Sequence, residues 1–446
     1  MMSDLPKVAH MAAGRSLVNW VLTAADPLDA ASTVVVVGHG AETVESQLPR
    51  GVRTALQADQ LGTGHATMVG LEEIDLDPDD VVVVLYGDMP LLTAGLIGDL
   101  SRLDDSETAR MVTAELEDPT GYGRVLRTAD GSVVGVVEHC DATPDQLTIK
   151  EINAGVYAFR AGALAAALGG VSSDNEQGEY YLTDVVEILV TNGDRLSAVK
   201  ASAQEVMGIN SQDQLAEARK ELQRRTNQRL MESGVWIMDP DHTYIEDTVT
   251  VEPGARIYPG VHLEGQTTVA ANARVGPDVF ALDSSIGPDA EVWYSVLRSA
   301  VVGEACEVGP YASLRQGTVM EKGSKIGTFV ETKNTTIGEG AKANHQAYLG
   351  DATIGARTNI GAGTITCNYD GTQKHRTEIG EDVFIGSDTM LVAPLRIGDS
   401  AVTGAGSVIT QDVAEGSLAI ERSSQREIPG YADKRETRKT AKQAED

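Results

Sequence analysis

The chain has 446 residues, 41% hydrophobic but only 4% aromatic, so it can bury real cores; at about 150 residues per domain, two or three units are expected. With 66 acidic against 36 basic residues, the formal charge of −30 disfavours nucleic acid and anionic membrane surfaces as partners and requires any anionic substrate to be held by local cations. No stretch of 18 apolar residues exists, and Met1 to Gly14 lacks the cationic start and apolar run of a signal peptide, so no membrane insertion and a cytoplasmic location are expected.

The first half alternates strand-like and helix-like segments, as an α/β domain should. Thr33 to Val37 reads as a buried strand ending at Gly38-His39-Gly40, and Gly64 to Ile74 as a helix. Val81 to Tyr86 is a continuous apolar run, hence a central strand, stopping at Gly87-Asp88-Met89-Pro90. A helix (Thr93 to Leu103), a strand (Met111 to Leu116) and a hairpin (Arg124 to Arg127 with Val133 to Glu138) follow. A strand near Gly155 to Phe159, helices from Ala161 and over Tyr180 to Val190, and a strand from Leu196 to Val199 close the domain. Ser211 to Met231 is helical by composition with Ser211 as N-cap, a strut between the halves. These signals divide the chain into an α/β domain (1–210), a linker helix (211–233), a repeat domain (234–430) and a charged, disordered tail (431–446).

From Val251 to about Val413 aliphatic residues recur every six positions: Val251, Ile257, Leu263, Val269 and Val275; then Val296, Val302, Val308, Leu314, Met320 and Ile326; then Ile379, Ile385, Leu391 and Ile397. Many open an aliphatic-glycine pair, such as Ile326-Gly327 or Ile385-Gly386. Neither a helix nor an alternating strand has this period, whereas a parallel β-helix does, each hexapeptide giving one short strand and three closing a triangular coil. Handedness does not follow from the period; similarity to known hexapeptide proteins makes it left-handed. Cys140, Cys306 and Cys367 lack metal-ligand spacing and read as free thiols, and the eight histidines show no paired zinc spacing, which weakens a carbonic-anhydrase-like reading of the β-helix.

Arg315 and Lys333 are eighteen residues apart, one full coil, so they should emerge on the same face about 5 Å apart. Stacked cations repel unless an anion lies between them, which predicts a phosphate site. His345 lies within about one coil on the same stretch of wall. It could take a proton from an amine, or be a corner histidine making structural hydrogen bonds. After Lys333 the register slips, and Cys367 to His375 breaks it, predicting a loop that leaves the coil.

In the first half, Asp88 at the carboxyl end of a strand stands where open α/β sheets bind ligands, and its hard oxygen suits magnesium; before Pro90 it is also an ordinary turn residue. The strings Leu56-Gln57-Ala58-Asp59-Gln60-Leu61-Gly62-Thr63-Gly64-His65, Leu85-Tyr86-Gly87-Asp88-Met89-Pro90, Gly121-Tyr122-Gly123-Arg124 and Glu151-Ile152-Asn153-Ala154-Gly155 resemble, in this order, the sugar nucleotidyltransferases. With the β-helix behind them, and with Phe329-Val330-Glu331-Thr332-Lys333, Asn344-His345, Tyr348-Leu349-Gly350-Asp351 and Asn359 through Gly371, the chain resembles the bacterial bifunctional family joining N-acetylglucosamine-1-phosphate uridyltransferase to glucosamine-1-phosphate acetyltransferase.

The resemblance implies an α/β nucleotidyltransferase (Rossmann-like) domain plus a left-handed parallel β-helix of hexapeptide repeats, making UDP-N-acetylglucosamine for cell-wall synthesis. It implies UTP and product binding by Lys7, Gln57, Gly62, Thr63, Tyr86, Gly87, Asp88, Gly123, Glu138, Asn153 and Asn210, with Mg2+ at Asp88 and Asn210. It makes His345 the general base and assigns glucosamine 1-phosphate to Arg315, Lys333, Tyr348 and Asn359. Acetyl-CoA falls to Ala362, Asn368, Tyr369, Lys374, Ser387, Ala405 and Arg422, the excursion after Cys367 reaching a neighbouring subunit of a homotrimer.

The family also opens with an apolar strand and a Leu-x-x-Gly-x-Gly-Thr-Arg-Met phosphate loop, whereas Met2-Ser3-Asp4-Leu5-Pro6-Lys7-Val8 corresponds to the string just after it. A start codon assigned too late is the favoured explanation, and the chain as written is expected to be a poor uridyltransferase with a gap in its sheet. Two competing readings are an enzyme with one activity, its other half structural, and a non-catalytic sugar-phosphate binder.

Overall fold

The protein is seen in a computed structural model that describes residues 1, 3–175 and 177–443; Met2 and the last three residues of the tail lie outside them. It divides into two compact units, residues 1–226 with 246–248, and residues 227–245 with 249–446.

The first unit opens with a hairpin, β1 (Met11–Ala12) and β2 (Arg15–Ser16), and helix α1 (Leu17–Ala25). Then come β3 (Val34–Val37), α2 (Ala41–Glu45), β4 (Arg53–Leu56), α3 (Thr63–Leu71), β5 (Val81–Val84), α4 (Ala94–Ser101) and β6 (Ala109–Glu115). The hairpin β7 (Arg124–Arg127) and β8 (Val133–Val137) precedes β9 (Glu151–Arg160), α5 (Ala161–Leu168), α6 (Leu182–Thr191) and β10 (Leu196–Ala201). The expected strands and helices all form, while the first hairpin, α1, α2 and β4 lacked a clear signal. β9 was foreseen only in part; its interior from Ile152 to Phe159 is buried throughout, so it has no alternating pattern to announce its length.

β9 is the sheet's spine, antiparallel to β6 on one side and to β5 and β7 on the other, with β10 parallel to β6. The sheet is interrupted: β3 and β4 form their own parallel pair, and the described pairing of β5 is to β9 alone. Val82, Val83 and Val84 are accordingly half-buried, so β5 lies at a sheet edge where its apolar run predicts a central strand. Helix α7 (Gln212–Glu232) begins with reciprocal bonds: the Gln214 amide donates to Ser211 Oγ (3.2 Å) and the Ser211 amide to Gln214 Oε1 (3.1 Å), the predicted N-cap made into a capping box. Leu215, Ala218 and Leu222 bury its inner stripe in the first unit.

The second unit is the β-helix. Short parallel strands pair with their equivalents one coil on, Val251 with Val269, Ile257 with Val275 and Leu263 with Ala281, so eighteen-residue spacing sets the coil. One column of inward residues runs Leu297, Leu314, Thr332, Leu349, Thr366 and Leu391. This corrects one register assignment: Leu297 points inward and Val296 is only half-buried. The interior also admits threonine where the hydroxyl is satisfied, as Thr366 Oγ1 is by the Gly350 carbonyl at 3.0 Å.

The slip after Lys333 is a seventeen-residue coil, pairing Met320 with Ile337, and the excursion lengthens the next turn so that Ile354 pairs with Ile379. The tail differs from expectation. Tyr431–Gln443 is the helix α8, because its Ala, Lys, Arg, Glu and Gln favour helix locally and Asp433 sits in the first turn. No described helix is long and apolar enough to cross a membrane.

Candidate functional sites

On the β-helix, Ser313 pairs with Glu331 and Leu314 with Thr332, which sets Arg315 one coil from Lys333 as the spacing required. Arg315 donates to Glu331 Oε1 at 2.7 Å. Lys333 lies beside Lys374 and Arg315, whose positive charges hold its ammonium pKa below the usual lysine range. The excursion therefore folds back on its own chain, closed by the Tyr369–Lys374 bridge, and adds a third cation to the predicted pair. Such a cluster is stable when an anion occupies it.

Asp351 balances the cluster. Burial alone would raise its pKa, but Asn334 (2.7 Å), Asn368 (2.6 Å), Lys374 and Lys333 outweigh burial and hold the carboxyl below its usual range. Asn368 is thus a buried anchor of the excursion, with its amide turned toward Asp351, and Tyr369 is exposed with its hydroxyl donating to the Gly371 carbonyl. Tyr348 lies across the backbone of Gly350, where a Cβ would stand 2.5 Å from the phenol oxygen and 2.8 Å from Asn368 Nδ2. Glu331, Gly350 and Asp351 belong to the motif strings, yet their roles were missed because each depends on a neighbour one coil away.

His345 pairs with Thr328 across the coil and is exposed, and its imidazole has no hydrogen-bond partner among the described residues, which does not fit a structural corner histidine. Its strand is no flat wall. Phe329 and Gln346 adopt φ of 59° and 31°, turning a corner between His345 and Tyr348, so the base and the phosphate ligands stand on either side of an edge. Half-buried Asn359 pairs with Lys342 in the coil after His345.

Ala362, Ser387, Ala405 and Arg422 form a column. The Asp388 amide donates to the Ala362 carbonyl (2.6 Å), the Gly406 amide to that of Ser387 (2.8 Å), and Arg422 Nη1 to that of Ala405 (2.9 Å). Residues 25 and 18 apart in sequence thereby line one edge, which fits an extended ligand.

The second site lies in the α/β unit. Lys7 Nζ contacts Asp88 Oδ2 at 2.5 Å and Asn210 Oδ1 at 2.8 Å, and the Ile209 amide donates to the Asp88 carbonyl at 3.0 Å, fixing the two segments together. Two oxygens converging on one cation are a donor set that suits magnesium. Among the described residues no group of three His, Cys, Asp or Glu could hold a metal.

Gln57 donates to the Gly62 carbonyl (3.1 Å) and meets His65 Nδ1 (2.9 Å), and Thr63 accepts from the Leu182 amide (3.1 Å). Tyr86 binds the Thr63 hydroxyl, and burial pushes its phenol up to about 12. Its ring lies on Gly155, φ 77°, where a Cβ would be 2.3 Å from Cε2. Gly87 precedes Asp88 beside Val8 and Val18. The Asn153 amide donates to Gly123 O at 2.9 Å, and its side chain accepts from Gly155 N at 3.0 Å. Glu138, its pKa raised by burial, accepts from Thr183 at 3.0 Å. Thr183 and Gly155 are the residues sequence reasoning missed here; Thr183 lies 45 positions from the carboxylate it holds, and no local pattern marks it.

Residues 1–168 match the MobA-like NTP transferase domain family, and residues 376–411 the bacterial transferase hexapeptide family. Bifunctional protein GlmU of Streptomyces avermitilis is 48% identical, aligning with 100% of this chain and 94% of its own length. Those of Caldanaerobacter subterraneus (44%, with 98% and 95% covered) and Mycolicibacterium vanbaalenii (45%, with 98% and 90%) are similar over nearly the same extent.

Proposed function

Because the chain belongs to the family of bifunctional GlmU proteins, we propose that it makes UDP-N-acetylglucosamine by acetyl transfer to glucosamine 1-phosphate and then uridylyl transfer from UTP. In the first reaction the sugar amine attacks the thioester carbonyl of acetyl-CoA, the new C–N bond forms as the C–S bond breaks, and coenzyme A leaves. His345 takes the amine proton and a proton returns to the thiolate. Arg315 and Lys333, with Lys374 beside them, hold the substrate phosphate, while Tyr348 and Asn359 position the sugar. The column Ala362, Ser387, Ala405 and Arg422 takes acetyl-CoA, and exposed Tyr369 is assigned to the same ligand.

In the second reaction a phosphate oxygen of N-acetylglucosamine 1-phosphate attacks the α-phosphorus of UTP and pyrophosphate leaves. Asp88 and Asn210 would hold magnesium, which supplies neutralisation of the triphosphate when bound. Gln57, Gly62, Thr63 and Tyr86 hold the uridine, and Gly123, Glu138 and Asn153 the sugar. We assign uridylyl transfer to residues 1–210 and acetyl transfer to residues 234–430, and read the enzyme as cytoplasmic. A threefold oligomer is supported by Phe384, Val402 and Leu418, which stack in register on one face at 52%, 37% and 61% exposure.

The observation that carries this reading is the convergence of Arg315, Lys333 and Lys374 one corner away from an unpartnered histidine. Its test is release of free coenzyme A with glucosamine 1-phosphate, by the parent chain and by His345→Ala. Release lost only in the variant supports it, and no release by the parent returns the reading to a binder or a single-activity enzyme.

A further inference from the structure

Lys7 is the one residue of the α/β site whose charge is opposite to that of the group it contacts there: its ammonium bridges Asp88 Oδ2 (2.5 Å) and Asn210 Oδ1 (2.8 Å). Those are the two oxygens that the proposed function gives to the metal, and this inference rests on that assignment. A divalent ion coordinated at about 2.1 Å by the same oxygens would lie within contact distance of the ammonium, and like charges at that range repel strongly in a partly buried site. Asp88 has only 18% of its side chain exposed, so solvent screens the clash poorly.

The bond from the Ile209 amide to the Asp88 carbonyl ties the two segments together and keeps their side-chain oxygens close to each other. Lys7 has a flexible stem, 39% exposure and an open cleft beside it lined by Met1, Ser3, Asp4, Leu5, Pro6 and His39, so it can move. A triphosphate entering that cleft offers it another anion.

We infer that Lys7 is a resident counter-cation of the Asp88–Asn210 oxygen pair, which suppresses binding of divalent metal alone and yields the site when a nucleoside triphosphate draws the ammonium away. Metal and triphosphate then bind synergistically, each raising the affinity for the other by the same factor.

The test is titration of the full chain with Mn2+ alone, followed by electron paramagnetic resonance of the free ion. Lys7→Met and Lys7→Gln should each bind Mn2+ at least about 10-fold more tightly than the parent. The gain should vanish when Asp88→Asn is added to either. Equal affinity in the parent and both variants overturns the counter-cation role. Tight binding that survives Asp88→Asn instead overturns the assignment of Asp88 to the metal, and the inference falls with it.

Discussion

The two sites are built by opposite means. In the β-helix, neighbours in space are neighbours by translation: Arg315 meets Lys333 because one coil separates them, and Ala405 follows Ser387 for the same reason. In the α/β unit, Lys7, Asp88 and Asn210 come from segments 81 and 122 residues apart and share no period. A repeat therefore exposes its site to simple counting, whereas a layered domain hides its site in loop convergence. The repeat leaves its candidate side chains Arg315, His345 and Tyr369 exposed on open edges, while the layered domain buries Asn153, half-buries Tyr86 and Glu138, and raises the pKa of both by desolvation.

Substitutions separate the two designs. His345→Ala should lower the acetyl-transfer kcat by about 10²–10⁴-fold and leave uridylyl transfer intact, as read by coenzyme A release and pyrophosphate release on the same preparation. If both activities fell together, the sites would not be independent. Lys333→Met should raise KM for glucosamine 1-phosphate by roughly 10–10²-fold, because a charge-assisted phosphate contact is lost. An unchanged KM would remove the phosphate from the three-cation cluster.

Smaller effects sharpen the contrast in stability. Gly155→Ala forces a Cβ against the half-buried Tyr86 ring at a positive φ, and should destabilise the α/β unit by about 1–3 kcal/mol while the β-helix melts unchanged. Calorimetry of the two transitions would show it. Glu221 on α7 is hydrogen-bonded by Arg224 and, against the effect of burial, by Arg225, and its pKa falls to about 2. A depressed carboxylate contributes stability above its unfolded pKa, and that contribution is lost as pH falls from about 5 toward 2. Glu221→Gln should therefore cost about 1–2 kcal/mol at neutral pH, and the cost should vanish only as the pH falls through 2, a difference that acid titration of the melting temperature would resolve. Thr183→Val should raise KM for N-acetylglucosamine 1-phosphate only a few-fold, since it removes one support of Glu138.

The β-helix, its coil length, the stacked cations and the place where the chain leaves the coil are all legible in the order of residues, because a fixed period turns position in the chain into position in space. So are most strands and helices of the first half, from apolar runs and caps such as Ser211. Packing in three dimensions was needed to show that Leu297 rather than Val296 faces inward, that Lys374 returns to Lys333, that a corner divides His345 from Tyr348, and that Thr183 supports Glu138. Those outcomes depend on contacts between residues far apart in sequence or on a one-residue choice at a corner, and neither leaves a local trace: side-chain type reports what a group can do, while the partner it meets is set by how the whole chain packs.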